Sequence, residues 1–404
     1  MIYSIKKSFP HIVLICFIFQ LNAQDNIYRL QLKLNDTVSL QTLVNIQNQQ
    51  IHIPFYPNVQ KNISEFKIKN DSVRFTISIY ENVCLLKKEN NHSYTGKWIK
   101  YSTQNKTYQL PCNIDKIKAF PKVNDNLINR FPEKWKIKIQ TENNTYYAIG
   151  TFKRYNYLGI QYLSGSIATP YGDLGGLTGF ISKDTLYLSV FNGSFATQII
   201  SKVYYTNSID SIAGYIYYGN WGFEKITAYP DNQFQIKNEI SISDIFGNNH
   251  FTLQHQWKDI DGNNVLLESN KPIILLLMGS WCPNCTDENK LFSEWYSALK
   301  EKVQIIALAV ERTYDKDKSI QILKKYKSKL QIPYPIILLS EKGNNLPFDI
   351  FPEIQKIPAF PTTIFFDKQH RPYIATIGFN GPATNELYYQ NQEHIKNIIQ
   401  KITE

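Results

Sequence analysis

The sequence predicts a multidomain protein in which an N-terminal all-β region is followed by a C-terminal α/β domain. Up to about Tyr229, short runs of Val, Ile, Tyr, Phe and Thr alternate with Asn, Asp and Gly, which is typical of strands joined by turns. Beyond about residue 245, apolar strands alternate with helical segments, which indicates a mixed sheet with helices on both faces. A chain of 404 residues, 43% of them hydrophobic, is long enough for two or three domains with proper cores.

Residues 1–23 are predicted to be a secretory signal peptide. Lys6 and Lys7 precede an apolar stretch at residues 12–19, and Ala23 supplies a small residue at the cleavage point. The apolar stretch is too short to span a bilayer, so we expect an exported, periplasmic protein that does not span the membrane after cleavage. An uncleaved anchor is the alternative. Cys16 lacks the small preceding residues of a lipid-modified Cys, and no lipoprotein is expected.

The β-region is predicted to contain two units, residues 24–125 and 130–235. The stretch at 66–75 parallels the stretch at 180–187, and each is followed by a Gly-aromatic step, at Gly96 and Gly214. A duplicated β-unit of about a hundred residues would explain this likeness, whereas common strand and turn composition is the alternative. Pro-containing segments at Phe120-Pro121 and Phe131-Pro132 mark the boundary between the units.

The α/β domain is predicted to cover residues 245–404 and to open with a hairpin around Asp261-Gly262. Hydrophobic periodicity then separates strands from helices along the rest of the chain. The predicted elements are hairpin strands at 251–253 and 265–267, a buried strand at 273–278, a helix at 287–302, a strand at 303–310, a helix at 317–330, strands at 336–339, 363–366 and 373–377, and a closing helix at 392–402.

The chemistry of this domain centres on the segment Ser280-Trp281-Cys282-Pro283-Asn284-Cys285, at a strand-to-helix turn. The first turn of a helix has unpaired N–H groups and a partial positive charge, which favour a thiolate. A Cys there can have a pKa well below about 8.5. Because two residues separate the thiols, they can close a disulfide within one turn. We predict that Cys282, at the exposed start, is the nucleophile and that Cys285 is the resolving thiol.

Glu288 is the candidate proton carrier for this pair. Cys285, Glu288, Phe292, Trp295 and Leu299 recur at helical spacing on one face, and the other members of that face are apolar. A part-buried carboxyl group in this setting would have a raised pKa and could exchange a proton with Cys285. A solvated first-turn acid, favoured by the helix dipole, is the alternative.

The remaining Cys, His and basic residues limit other functions. Cys84 and Cys112 would form a structural disulfide across neighbouring strands or remain two buried thiols. No metal site is expected, since His250, His255 and His370 lack the spacing of zinc ligands. The formal net charge of +10 comes from scattered basic residues without Arg-rich blocks, so nucleic-acid binding is not indicated. The expected redox group is the Cys pair itself, with no bound cofactor.

The order strand, Trp-Cys-x-x-Cys, helix, strand, helix, Phe360-Pro361-Thr362-Thr363 resembles thioredoxin-fold proteins over residues 245–404. Within them it is similar to the exported TlpA/ResA-type disulfide reductases. The resemblance implies that Pro361 is a cis-proline that lies against the Cys pair and exposes backbone for substrate pairing. It also implies that Glu288 takes part in thiol proton transfer. The acid that thioredoxin buries in the preceding strand would fall at Leu276, which is apolar.

Further residues are expected to shape the site. Pro283 stiffens the turn, Trp281 shields one side of the pair, and Phe360 and Thr362 flank Pro361. Four stretches resemble the branch of this family found in Bacteroidetes-type bacteria and its attached N-terminal domain: residues 310–313, 378–383, 169–173 and 191–194.

The roles of three positions in or beside these stretches are considered separately. Phe195 stands where many relatives have His, so the role of that His is not expected here. Glu311 and Arg312 either line the site or form a structural ion pair.

The resemblance and the dithiol together predict an exported thiol-disulfide oxidoreductase that reduces disulfide-containing client proteins. A membrane thiol electron donor is inferred from the family. A disulfide oxidase or isomerase would use the same residues at a higher reduction potential. A peroxidase of the peroxiredoxin group normally lacks the tight second Cys and the Trp. The last alternative is a ligand-binding protein with an accessory redox domain, in which Trp98, Trp135, Trp221 and many Tyr residues line a ligand surface.

Overall fold

The computed structural model confirms an all-β region followed by an α/β domain. The predicted signal peptide, Cys16, the Phe120-Pro121 boundary and His250 lie outside the described residues. The structure describes residues 27–47, 50–52, 62–63, 67–69, 71–77, 79–90, 92–101, 107–117, 122–157, 160–236, 239–247, 251–313, 315–339, 351 and 353–404.

The first β-unit is an antiparallel sheet of nine strands. They are β1 Ile27–Lys33, β2 Ser39–Gln47, β3 Gln50–His52, β4 Asn62–Ile63, β5 Lys67–Lys69, β6 Ser72–Phe75, β7 Asn82–Asn90, β8 Ser93–Tyr101 and β9 Thr107–Lys116. Their order in the sheet is β4-β3-β2-β1-β9-β8-β7-β6-β5. Alternate side chains such as Leu30, Leu32, Phe75 and Trp98 point to one face and form its core.

The second β-unit contains a closed barrel. After the short helix α1 Asp125–Asn129 come β10 Lys134–Gln140, β11 Thr145–Tyr157, β12 Ile160–Thr169, β13 Gly172–Asp173, β14 Leu177–Ser182, β15 Thr185–Phe191, β16 Ala196–Tyr205, β17 Ile209–Tyr218 and β18 Gly222–Pro230. Eight strands follow the order β11-β10-β18-β17-β16-β15-β14-β12, and pairing between β11 and β12 closes the ring. Its interior is filled by side chains such as Trp135, Leu163 and Ile216.

The two β-units pack against each other. Phe191, from the end of β15, is buried in the core of the first sheet, with its ring centroid 5.1 Å from that of Trp98. Ser189 Oγ donates to the carbonyl oxygen of Gln41, 2.8 Å away. The barrel therefore shares apolar and polar contacts with the preceding sheet.

The α/β domain is built on a six-stranded sheet with the order β19-β26-β25-β22-β23-β24. Its strands are β19 Glu239–Ile240, β22 Ile273–Met278, β23 Gln304–Ala309, β24 Ile336–Leu338, β25 Thr362–Phe366 and β26 Pro372–Ile377, beside a hairpin of β20 Trp257–Lys258 and β21 Asn264–Val265. The helices are α2 Ile242–Phe246, α3 Pro283–Leu299, α4 Lys316–Leu330 and α5 Glu386–Thr403, with a 3₁₀ turn at Pro382–Thr384. Every residue of β22 is buried, since this central strand is covered on both faces.

Element starts differ from the prediction by four residues or more at three places. The hairpin turns at Asp261-Gly262, but its first strand is β20 and not residues 251–253. Helix α3 begins at Pro283, four residues before the predicted start, because proline fits the first helical position, where no N–H partner is needed. Helix α5 begins at Glu386 and not at residue 392.

The predicted disulfide between Cys84 and Cys112 is not formed. Both are free, fully buried thiols on β7 and β9, and β8 lies between these strands. Of the two alternatives left open by the sequence, the structure shows the two buried thiols. Burial and the neighbouring Cys112 raise the pKa of the Cys84 thiol.

Among the described residues, no helix combines the length and the apolar character needed to cross a membrane.

Candidate active site

The two motif thiols lie where β22 gives way to α3. Cys282 and Cys285 form a disulfide with a Cα–Cα distance of 5.3 Å. Cys282 is the N-cap residue of α3, and its Sγ accepts a hydrogen bond of 3.1 Å from the backbone N–H of Cys285. Cys282 is only 4% exposed and Cys285 is fully buried, so the expectation that Cys282 stands at an exposed start of the helix is wrong. A Cys282 thiolate would therefore be stabilised by a backbone donor and by the positive end of the helix.

The segment before β25 faces the disulfide. The peptide bond between Phe360 and Pro361 is cis, and Cys282 Sγ lies 3.6 Å from the carbonyl oxygen of Phe360. The Phe360 and Trp281 rings meet edge to face with centroids 5.3 Å apart. Thr362 is buried, and its hydroxyl donates to the Ala359 carbonyl at 2.7 Å. The structure thus brings Trp281, Phe360, Pro361 and Thr362 together around Cys282.

Glu288 lies one turn beyond Cys285 and is 1% exposed. The Thr363 hydroxyl donates to its Oε1 at 2.6 Å, while its buried Oε2 has no hydrogen-bond partner within the described part of the chain. Burial raises the pKa of this carboxyl group to about 8, against the smaller opposite effect of the Thr363 hydrogen bond. The side chain is therefore a buried acid that is protonated at neutral pH, and not the solvated first-turn acid of the alternative.

Thr363 explains how this carboxyl group is placed. It lies on β25 directly opposite Leu276 of β22. Leu276 is the position where the thioredoxin acid would fall, and it is apolar here. The buried carboxyl group at this site belongs instead to Glu288 on helix α3. Sequence reasoning did not select Thr363, although it stands within the quoted Pro-Thr-Thr segment.

Glu311 and Arg312 hold the turn that carries the motif. Glu311 is buried, and its two carboxylate oxygens accept hydrogen bonds from the backbone N–H and the hydroxyl of Ser280, both at 2.8 Å. Burial raises the pKa of Glu311 to about 7, while the Ser280 donors act in the opposite direction. The Arg312 guanidinium lies over the Trp281 ring, with Cζ 3.6 Å from the ring centroid. Both residues therefore line the site, Glu311 through its hydrogen bonds with Ser280 and Arg312 through its contact with the Trp281 ring.

Loops of the barrel cover the dithiol, which sequence reasoning did not predict. Ser194 Oγ donates to the Trp281 carbonyl at 2.6 Å. The backbone N–H of Gly381 donates to Asp173 Oδ2, also at 2.6 Å. Gly172, with a φ of +117°, passes so close to Asn284 that a Cβ there would lie 2.0 Å from the Asn284 Nδ2 atom. The β-region thus contributes directly to the surroundings of Cys282.

The signal for this contact was present in the sequence as unexplained motifs. Residues 169–173 and 191–194 of the β-region, and residues 378–383 of the α/β domain, are the stretches that meet at this interface. Their Gly residues permit the close backbone approach. Periodicity could not show that they touch, because the contacts join residues between 87 and 208 positions apart.

The aromatic residues proposed to line a ligand surface do not form one together. Trp98 and Trp135 are fully buried in the cores of the two β-units, whereas Trp221 is 62% exposed. Within the described residues, no group of three or more His, Cys, Asp or Glu side chains is placed to hold a metal ion.

Comparison with known proteins agrees with this geometry. Residues 248–371 match the AhpC/TSA family. Together with the six-stranded sheet, this confirms a C-terminal thioredoxin-like domain after the all-β region. The chain is 33% identical over 94 residues to the thiol:disulfide interchange protein DsbE of Pasteurella multocida (strain Pm70). The match covers 23% of this chain and 47% of the relative, so the chain spans about half the length of the curated relative it matches.

A DsbF homologue and StoA are among the solved structures that are similar to part of the chain. A DsbF homologue from Corynebacterium diphtheriae is 22% identical with a TM-score of 0.29, over 42% of this chain and 98% of that one. StoA from Bacillus subtilis is 20% identical with a TM-score of 0.27, over 37% of this chain and 96% of that one.

Proposed function

We propose that this protein is an exported thiol-disulfide oxidoreductase of the TlpA/ResA type that reduces disulfides in client proteins. One observation carries the proposal: a disulfide at the N-terminus of α3 faces the Phe360–Pro361 peptide, with a buried, protonated Glu288 behind it. A dithiol, a backbone surface for the substrate and a proton carrier are the parts that thiol–disulfide exchange requires.

The reaction begins with the reduced pair. The Cys282 thiolate attacks one sulfur of the client disulfide, a mixed disulfide forms, and the other client sulfur leaves as a thiolate and takes up a proton. The Cys285 thiol then loses its proton and attacks Cys282 Sγ. The second client thiolate is released, so the client gains two electrons and the Cys282–Cys285 disulfide forms.

Glu288 and Pro361 have supporting roles in this scheme. The unpartnered Oε2 of Glu288 is the atom that would exchange a proton with Cys285, which lies one helical turn away. Backbone beside Pro361 would pair with the client while Cys282 is joined to it. The catalytic groups are therefore Cys282, Cys285, Glu288 and Pro361, with Trp281, Pro283, Phe360 and Thr362 shaping the site.

An exported reductase cannot draw on cytosolic thioredoxin directly. We propose a membrane thiol donor that reduces the Cys282–Cys285 disulfide by the same exchange. This donor and the periplasmic location rest on the family resemblance and the N-terminal sequence.

Equilibration of the purified protein in dithiothreitol buffers, with thiol-tagging mass spectrometry as the readout, tests the proposal. A two-electron transition of Cys282 and Cys285 near about −270 mV supports a reductase, and one near about −120 mV assigns the protein as an oxidase. A protein with no reversible transition at this pair would contradict the redox function.

Two variants make this measurement specific. A Cys84→Ser, Cys112→Ser double variant should keep the transition, because both thiols are buried in the first sheet. A Cys282→Ser variant should lose it. A transition that instead depended on Cys84 and Cys112 would move the redox centre to the β-region.

A further inference from the structure

A cavity of about 240 Å³ opens beside the Cys motif where the three units of the chain meet. Its walls come from the first sheet, from the loop at Ser194 of the barrel, and from Ser280 and Trp281. Tyr101, which is 47% exposed, and Lys318, which is also exposed, lie at its margin. A group bound there would contact the residue that directly precedes Cys282.

Cationic groups outnumber acidic groups in the lining of this cavity. The Lys100 side chain is buried, being 8% exposed, and its Nζ donates to the neutral carbonyl of Ser194. The Arg312 guanidinium stacks on Trp281 and donates no hydrogen bond within the described part of the chain. Burial and, to a smaller extent, repulsion from Arg312 lower the pKa of Lys100 to about 8. Lys100 and Arg312 thus line one space, and Glu311 is the acidic group close enough to raise the pKa of Arg312.

The two acidic residues of the cavity are already engaged. Glu81 pairs with Lys325 at 2.6 Å. Glu311 uses both oxygens to accept hydrogen bonds from Ser280. Lys318 adds a third cation at the margin. Buried cations favour a hydrogen-bonded anion over an empty space, because their charge is otherwise poorly compensated.

We propose that this cavity is a carboxylate-binding subsite beside Cys282, which takes an acidic residue of a disulfide substrate or a free small acid. The substrate carboxylate binds between Lys100 and Arg312, and its apolar neighbours pack on Trp281 and Tyr80. A planar carboxylate fits the fork of a guanidinium group, which favours it over a spherical anion. This inference rests on the proposed function, since it adds a specificity element beside Cys282. The carboxylate belongs either to an acidic residue of the client or to a free small acid.

Matched peptides test the subsite. Each pair consists of two short disulfide peptides that differ only in having Glu or Gln at one of three positions on either side of the cystine. The wild-type protein reduces both peptides, and their kcat/KM values are compared. We expect Glu to be preferred by about 10-fold at the best position, because a charge-assisted hydrogen bond replaces a neutral one. Arg312→Gln should bring this ratio close to one.

Two further variants support the assignment. Arg371→Gln removes an exposed guanidinium that pairs with Asp367 far from the cavity, and should keep the Glu preference. Lys318→Gln changes the exposed margin only and should lower the preference by about twofold, so the test survives if Arg312→Gln fails to fold.

Calorimetric titration with glutarate separates the two sources of the carboxylate. Equal rates for Glu and Gln peptides, together with glutarate binding that Arg312→Gln abolishes, would assign the subsite to a free small acid. Equal peptide rates without glutarate binding overturn the subsite but leave the disulfide reduction intact. If neither peptide is reduced, the proposed function fails, and the glutarate titration still decides whether the cavity binds a carboxylate.

Discussion

Glu288 shows how burial gives a residue its chemistry. An exposed glutamate is ionised at neutral pH, but this side chain lies in an apolar layer with a single donor, Thr363, on one of its oxygens. Desolvation disfavours the carboxylate, so the pKa rises to about 8. A group that is protonated at rest and can ionise near neutral pH suits proton transfer to and from a thiol.

The raised pKa of Glu288 predicts how stability depends on pH. The folded-state pKa of Glu288, about 8, exceeds the unfolded value of 4.5. The contribution of Glu288 to the free energy of unfolding is therefore fully present below pH 4.5 and is lost as the pH rises through 8. Glu288→Gln stays neutral and lacks this loss. Between pH 5 and 8, the free energy of unfolding of the wild type should fall relative to Glu288→Gln by about 3 kcal/mol.

Urea unfolding of the oxidised proteins at several pH values measures this difference. Glu393→Gln is the matched control, since Glu393 lies exposed beside Lys396 on α5 and should follow the wild-type curve. Parallel curves for the wild type and Glu288→Gln would show that Glu288 is ionised in the folded protein.

The two thiols should separate in trapping experiments. With Cys285→Ser, a client disulfide attacked by Cys282 cannot be resolved, so a mixed disulfide should accumulate, whereas Cys282→Ser should give none. Non-reducing electrophoresis with a disulfide peptide detects the adduct. An adduct with Cys282→Ser instead would assign Cys285 as the nucleophile, against its complete burial.

At the scale of elements, the α/β domain could be predicted because its signals are local. The all-apolar run at 273–278 and the helical spacing after Cys285 depend on neighbours within a few residues. The missed start of α3 at Pro283 reflects the same limit, since a proline can begin or break a helix. Closure of the barrel through β11 and β12 could not be predicted, because pairing order depends on contacts distant in sequence.

The topology of the two β-units supports the interpretation of a duplication. In each unit the first strand pairs with the last, β1 with β9 and β10 with β18. The parallel stretches form equivalent hairpins, β5–β6 and β14–β15, and three further strands follow each hairpin in its unit. Gly96 and Gly214 likewise lie on the penultimate strands β8 and β17. Shared composition alone would not place these features at equivalent positions.

The interface loop around Gly172 gives a prediction for one element. Gly172→Ala and Gly262→Ala both place a side chain at a positive φ, but only Gly172 faces a neighbour, the Asn284 amide. We expect Gly172→Ala to cost about 1–3 kcal/mol more in unfolding free energy than Gly262→Ala, because Asn284 must move. In the reduced protein, Cys282 should also be alkylated faster.

Denaturant unfolding and the rate of alkylation by iodoacetamide check both effects. Equal behaviour of the two variants would mean that Asn284 moves without cost and that the loop does not restrict Cys282.

At the scale of the whole molecule, the β-region determines what reaches the dithiol. Ser194, Gly172 and Asp173 lie against the motif and the Gly381 loop, and Cys282 is 4% exposed. If these contacts limit access, a folded client reaches Cys282 only in a form in which they have opened. A flexible peptide needs a smaller opening.

This covering predicts discrimination by client size. If the open form is a minor population, the rate for a bulky client falls by the fraction that is open. A short cystine peptide should be reduced at least about 10-fold faster than a folded protein whose exposed disulfide has a similar reduction potential. Asp173→Ala removes the acceptor of the Gly381 N–H and should lower the ratio of the peptide rate to the folded-protein rate. Asp184→Ala is the control, because it removes only a partner of exposed Lys202 on the same barrel, and it should leave this ratio unchanged. Burial raises the pKa of Asp173 to about 6, while the hydrogen bond from the Gly381 N–H acts in the opposite direction. A ratio near one in the wild type would show that the barrel loops do not restrict access to Cys282.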